Sequence, residues 1–309
     1  MPTSILKKLA PVEGVIPGEK ATVDLVIGPR YHNLILEATV KPPAGGIATM
    51  AMIMGLINIL VNGKSQRQFT AGELSVLNPL NGAEFDVETY NVTDPGTALA
   101  ADDTARFRVS ILFGEPFRKS YAADKVMAWP TIWPGNVSLG TFQVEIEVPA
   151  VAGTTLHSIK AYAEMDGELG QVGDSGPIFN VSKWWRQTVI YTAAGDRHIT
   201  TLPKRDRYQS MHFFTQAGDP ISHIKIRRDG QDIIDVDKDV NDHNLVVRGI
   251  NKLALSADRL DVIFDRDDLP DSALPMNGVS EFEVIITLAA AAAANKAITL
   301  ITQVYGPRD

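Results

Sequence analysis

Apolar and polar residues alternate in short runs along most of the chain, broken by glycine, proline, asparagine or aspartate. That is the pattern of half-buried β-strands joined by tight turns. Residues 21–27 alternate as a strand, and Gly28-Pro29 turns the chain into residues 30–39, a β-prone run crowded with large apolar side chains. Residues 57–61 form another strand ending in Asn62-Gly63, a pair that favours a two-residue hairpin turn. Thr70 followed three residues later by Glu73 predicts a short helix over 70–74 opened by a capping box. Residues 78–103 are turn-rich and read as one long loop, and 106–113 alternate as a strand. A helix over 120–127 is expected to stop at Trp129-Pro130. The tract 129–135 reads as an ordered loop outside any ladder, because each proline removes a donor.

This order of pieces occurs twice. Arg30-Tyr31-His32 opens a strand that leads to the Asn62-Gly63 turn; Arg207-Tyr208-Gln209 opens one that leads to Asp229-Gly230, the other strong signal for that geometry. Phe142-Gln143-Val144-Glu145-Ile146 precedes a small-residue break and the strand 159–163, and Phe282-Glu283-Val284-Ile285-Ile286 precedes an alanine break and 298–302. The second half adds strands at 187–192, 197–201, 207–216, 223–228, 231–236, 259–264, 281–288 and 297–304. Many short strands with few helices indicate sandwiches, and eight-stranded antiparallel sandwiches of this kind are jelly rolls. The fold class is therefore all-β, two tandem jelly rolls with a few short helices in loops. Gly167, Gly170, Gly173 and Gly176 place the boundary, giving domains 1–175 and 176–309.

Hydrophobic residues make up 45% of the 309, enough for a real core, and the formal charge of −8 disfavours a general role in coating nucleic acid. The chain has no cysteine, which excludes disulfides, thiolate metal sites and thiol catalysis. Residues 1–15 hold two lysines and no signal-like apolar core, so no secretion signal is expected, and the sequons at Asn91, Asn136 and Asn180 carry no weight. The apolar run 44–61 contains Gly45, Gly46, Thr49, Gly55 and Asn58 and reads as a buried strand with an apolar loop rather than a span.

Chemical motifs mostly fail. Gly173-Asp174-Ser175-Gly176-Pro177 resembles a serine-protease nucleophile segment, yet it lies in the linker with no histidine context to serve it. The six histidines (32, 157, 198, 212, 223, 243) include no His-x-His pair of the kind metal-binding cupins use. His32 and His212 read as hydrogen-bonded strand residues rather than ligands. Asp235, Asp237 and Asp239 begin like a calcium loop, but Val240 and Val246 stand where such a loop needs glycine and glutamate. They and the cluster Asp265, Asp267, Asp268 and Asp271 read as solvated acidic turns. No phosphate-cradling glycine loop occurs. Trp184-Trp185 reads as packing at an inter-domain seam. The expectation is no catalytic residue and no cofactor site, with structural calcium permitted by the aspartates and its ligands unassigned.

Two tandem jelly rolls without cysteine or a catalytic constellation resemble the double jelly-roll major capsid proteins of tailless icosahedral phages with an internal membrane. The segment Gly28-Pro29-Arg30-Tyr31-His32-Asn33-Leu34-Ile35-Leu36 is similar to the start of the N-terminal domain of the corticovirus-type coat protein. The resemblance implies a non-enzymatic coat protein of the virion shell, made in the host cytoplasm. It implies a homotrimer that forms a pseudo-hexagonal capsomer, with neighbouring capsomers, minor or penton proteins and the membrane as partners. It would place the loops 78–103 and 119–135 at the top or at trimer contacts, and Lys7 and Lys8, in a flexible N-terminal arm, near the membrane or a neighbouring capsomer. Met50, Met52 and Met54 would be adaptable contact surface. The other class of function these patterns allow is a two-domain jelly-roll carbohydrate-binding protein or a carboxylate hydrolase. Aromatic residues at only 7% give little material for sugar platforms.

Overall fold

The computed structural model describes residues 4–41, 53–80, 89–91, 104–114, 128–133, 137–166, 181–191, 193–215, 221–251, 255–256, 258–265, 272–288 and 296–307. The chain divides into two compact units, Met1–Val181 and Ser182–Arg308.

The first unit contains β1 (Ser4–Lys8), β2 (Lys20–Asp24), β3 (Arg30–Lys41), β4 (Leu56–Val61), β5 (Lys64–Thr70), α1 (Ala71–Leu80), β6 (Thr89–Asn91), β7 (Ala105–Leu112), β8 (Trp129–Pro130), β9 (Ile132–Trp133), β10 (Val137–Ser138), β11 (Phe142–Glu147) and β12 (Thr155–Asp166). One layer runs β1-β12-β3-β7-β6, with β8 against β3; the other runs β5-β4-β11-β2. Alternate residues of β4 and β11 are buried, Ile57, Ile59, Val61, Val144 and Ile146, as are Leu34, Leu36, Ala38, Phe107 and Val109 of the first layer.

The second unit contains β13 (Val181–Tyr191), β14 (Gly195–Ile199), β15 (Arg207–Phe214), β16 (Ile221–Arg228), β17 (Gln231–Asp237), α2 (Lys238–Val247), β18 (Arg259–Ile263), β19 (Leu274–Pro275), β20 (Phe282–Leu288) and β21 (Lys296–Gly306). Its layers run β13-β21-β15-β18, with β19 against β15, and β14-β20-β16-β17. Tyr208, Met211, Phe213, Ile224, Ile226, Val284, Ile286 and Leu300 belong to a single buried cluster.

Exchanging β1, β2, β3, β4, β5, β7, β11 and β12 for β13, β14, β15, β16, β17, β18, β20 and β21 converts one strand order into the other. Each set is an eight-stranded jelly roll. The correspondence extends to single atoms. Tyr31 Oη donates to the Val26 carbonyl at 2.8 Å and Tyr208 Oη to the Pro203 carbonyl at 2.6 Å. Each tyrosine ring packs on the first phenylalanine of the matching strand, Phe142 at 5.4 Å and Phe282 at 5.3 Å. The ladder slips one residue after each tyrosine, at His32 and at Gln209, as a β-bulge. The carbonyl freed by the bulge takes two amides both times: Phe113 and Gly114 at His32, Phe264 and Asp265 at Gln209. At the hairpins, Asn62-Gly63 and Asp229-Gly230 all have positive φ, as a type I′ turn requires. Asn62 Oδ1 accepts from the amides of Gly140 and Thr141, and Asp229 Oδ1 from those of Ser280 and Glu281.

Several expectations need correction. Residues 4–8, expected in a flexible arm, are a strand paired with β12. The helix opened at Thr70 continues to Leu80, so residues 78–80 are helical, and Thr89–Asn91 within the expected loop are a strand. Its capping box is present: Glu73 Oε2 accepts from the Thr70 amide at 2.7 Å and Thr70 Oγ1 from the Glu73 amide at 3.2 Å. Trp129-Pro130 does join a ladder, opposite Tyr31 and Arg30, on the edge positions a proline tolerates. The aspartates 237–242 lead into and form the start of α2 rather than an acidic turn. Met54 is buried and offers no contact surface. The expected helix 120–127, the glycine-rich boundary 167–177, Met50, Met52 and residues 266–271 lie outside the described residues. Among the described residues, no helix is long and apolar enough to cross a membrane.

Candidate functional site

Three polar clusters are the candidates for chemistry. The first lies inside the second unit, where sequence reading found only isolated residues. Ser210 Oγ stands 2.8 Å from His212 Nε2, and His212 Nδ1 stands 2.8 Å from Asp261 Oδ1. These are the contacts of a nucleophile, base and orienting acid. Two features remove that chemistry. The serine hydroxyl donates to Gln303 Oε1 at 3.0 Å, so its proton is not offered to the imidazole. His212 is 0% exposed and Asp261 1%, which leaves no opening for a substrate. Arg259 Nε reaches both Asp261 oxygens at 2.7 and 2.8 Å. Burial acts to raise the Asp261 carboxyl, but the bonds from His212 and Arg259 outweigh it and hold the group below its ordinary range. The cluster is a buried polar network spanning β15, β18 and β21, in which Gln303 Nε2 has no partner among the described residues.

The second cluster is in the first unit. Arg30 Nε donates to Asp166 Oδ2 at 2.7 Å and His32 Nε2 lies 2.9 Å from Asp166 Oδ1. Partial burial opposes ionisation of Asp166, yet the bonds from His32 and Arg30 bring it down to about 2. His32 and His212 are thus both strand residues held by a carboxylate.

The third cluster is an exposed ladder on β16, β17 and β20. His223 lies between Asp235 at 2.8 Å and Asp237 at 2.9 Å, Lys225 bridges Asp232 and Asp235, and Arg227 reaches Asp232 and Glu283. The bond to Asp237 pushes the His223 imidazole up, as does that to Asp235. Every anion of the ladder already has a cation. Among the described residues no group of three or more histidine or acidic side chains is placed to hold a metal ion. Asp235 and Asp237 flank the imidazole, Asp239 and Asp242 ride on α2, and Asp265 is buried and accepts from Ser272. Trp184 is buried with its indole N–H on Ser182, and Trp185 packs against the core of the second unit under Arg205.

What remains is surface. Residues 5–8 of β1 are exposed, Ile5 and Leu6 included. On α2, Val240, Val246 and Val247 are exposed beside a cavity of about 450 Å³ lined by Ile233, Val236 and Val262. Apolar side chains on an edge strand and on a helix face are contact surface, not catalytic surface.

Comparison with known proteins agrees with a protein built for contact. Residues 6–166 match the family described as viral coat protein P2 N-terminal domain, and residues 181–305 match the viral coat protein P2 C-terminal domain. No curated protein sequence matches the chain. Among solved structures, the major capsid protein P2 from bacteriophage PM2 superposes with a TM-score of 0.72 at 15% identity, covering 99% of both chains. The STIV major capsid protein gives 0.68 at 11% identity, covering 98% of this chain and 97% of that one. The PBCV-1 virus capsid model gives 0.68 at 10%, covering 98% and 93%. With both of its domains present in order and the double jelly-roll fold they build, the chain belongs to the viral coat protein P2 family and is a coat protein of a virion capsid.

Proposed function

We propose that three copies of the chain associate into a pseudo-hexagonal capsomer that tiles an icosahedral shell around an internal membrane. The observation that carries this is the identical order of eight strands in both units. Six equivalent bricks from three chains can occupy six-fold positions that no single jelly roll in a trimer could fill. In this reading the role is structural and not enzymatic, supported by the sealing of the Ser210–His212–Asp261 cluster. The domains divide at 175/176, supported by the gap between the two family segments at 166 and 181. Minor capsid proteins and the membrane complete the partners. Sequence-specific nucleic-acid binding is not among the roles, in keeping with the charge of −8.

Light scattering after size exclusion tests the assembly. The expected mass is three times 33.6 kDa, unchanged on dilution, because an obligate interface of roughly 2,000 Å² or more does not dissociate at micromolar concentration. A stable monomer would overturn the capsomer.

A further inference from the structure

The duplication gives each surface position a counterpart, and two positions are treated differently in the two copies. Strand β1 corresponds to β13. Residues 5–8 of β1 are exposed, Leu6 at 65%, whereas Val181, Ser182, Lys183 and Trp184 at the start of β13 are buried. Helix α1 corresponds to α2. Five residues of α1 are buried, but only Asn241 and Leu245 of α2, whose Val240 and Val247 are 53% and 71% exposed. Each position is therefore buried once and bare once.

The two bare surfaces also differ in charge. Strand β1 carries Lys7 and Lys8 and no acid, next to Ile5 and Leu6. The β17–α2 segment carries Asp232, Asp235, Asp237, Asp239 and Asp242 against the single lysine Lys238, beside a cavity of about 450 Å³ lined mainly by aliphatic side chains, with Asp235, Asn241 and Arg248 among its polar members. Lys225 and Arg227 neutralise Asp232 and Asp235, and Lys238 neutralises Asp242. Asp237, bonded to His223, and Asp239 are exposed at the N-terminal end of α2. Among the described residues β1 pairs on one side only, with β12, and β17 on one side only, with β16.

We infer that the β17–α2 face of one copy receives the β1 edge of a second copy, with Leu6 and Ile5 against the aliphatic lining of the cavity and Lys7 and Lys8 against Asp237 and Asp239. This rests on the trimer reading and specifies its contact. The two surfaces are different, so the contact is head-to-tail and closes into a ring when three copies complete the rotation. Both surfaces are used once per chain and none is left over. The apolar centre supplies the attraction, and the lysine–aspartate rim fixes which strand enters.

Leu6→Glu and Val247→Glu, made separately in the full chain, are each expected to reduce the light-scattering mass from trimer to monomer. The double change K7D/K8D is expected to do the same, and adding D237K/D239K to that chain to restore the trimer, which a misfolded variant could not do. A wild-type trimer whose mass survives L6E and V247E overturns the contact and leaves the trimer reading standing. So does loss of the trimer in K7D/K8D without rescue by the reciprocal pair. A wild-type monomer overturns the trimer reading itself.

Discussion

Tyr31 and Tyr208 show what a single residue contributes to this fold. Each buries its ring completely and spends its hydroxyl on a carbonyl five residues upstream, pinning the turn that feeds the long strand. Burial pushes both phenols above their ordinary range. Tyr31→Phe and Tyr208→Phe should each cost about 1 kcal/mol in urea unfolding, because a part-buried hydrogen bond to a backbone carbonyl is lost. Asp166 makes the opposite case for a charge. Its folded pKa of about 2 lies below the ordinary 3.8, so its contribution to stability is present above pH 3.8 and is lost as pH falls towards 2. Asp166→Asn should lower stability at pH 7 by about 2 kcal/mol and flatten the acid limb between pH 4 and 2. The tyrosines were legible in the sequence because each opens an apolar strand after the same Arg-Tyr pair. The Ser210–His212–Asp261 network was not, since its aspartate is 49 residues from its histidine and only strand pairing brings them together.

At the scale of elements, the hairpin turns carry the most transferable rule. Gly63 and Gly230 have φ of +75° and +78°, and a Cβ at either would meet nothing within 4 Å. Alanine at each is therefore expected to cost about 1 kcal/mol, from backbone conformation alone and nearly equally in the two units. Urea unfolding of the two variants checks this; a cost confined to one site would mean that the turns are not equivalent. These turns were readable because Asn-Gly and Asp-Gly have few other solutions between alternating strands. Helix α2 was hidden because Asp235, Asp237 and Asp239 look like a loop, and its acidic first turn suits a helix N-terminus equally well. Strand β1 was hidden because its five residues, Ser4–Lys8, carry no clean alternation and are followed by Pro11 and Pro17; its pairing to β12 is a tertiary fact.

For the whole molecule, charge sets how finished capsomers meet. The chain carries −8, and the proposed trimer would triple it, so such capsomers would repel one another over distances set by the ionic strength. The Debye length is about 30 Å at 0.01 M salt and about 8 Å at 0.15 M. Contacts between capsomers have to be weak enough for misplaced units to leave, and repulsion of this range is sufficient to keep them apart at low salt. Raising sodium chloride from 0.01 to 0.15 M at pH 7 should therefore increase association beyond the trimer, read as light scattering at fixed protein concentration. Lowering the pH towards 5.3, where the net charge vanishes, should have the same effect without salt. A fall in association with salt would instead show that ion pairs hold capsomer to capsomer, and would move the search for those contacts to the paired ladder of His223, Lys225 and Arg227 on β16.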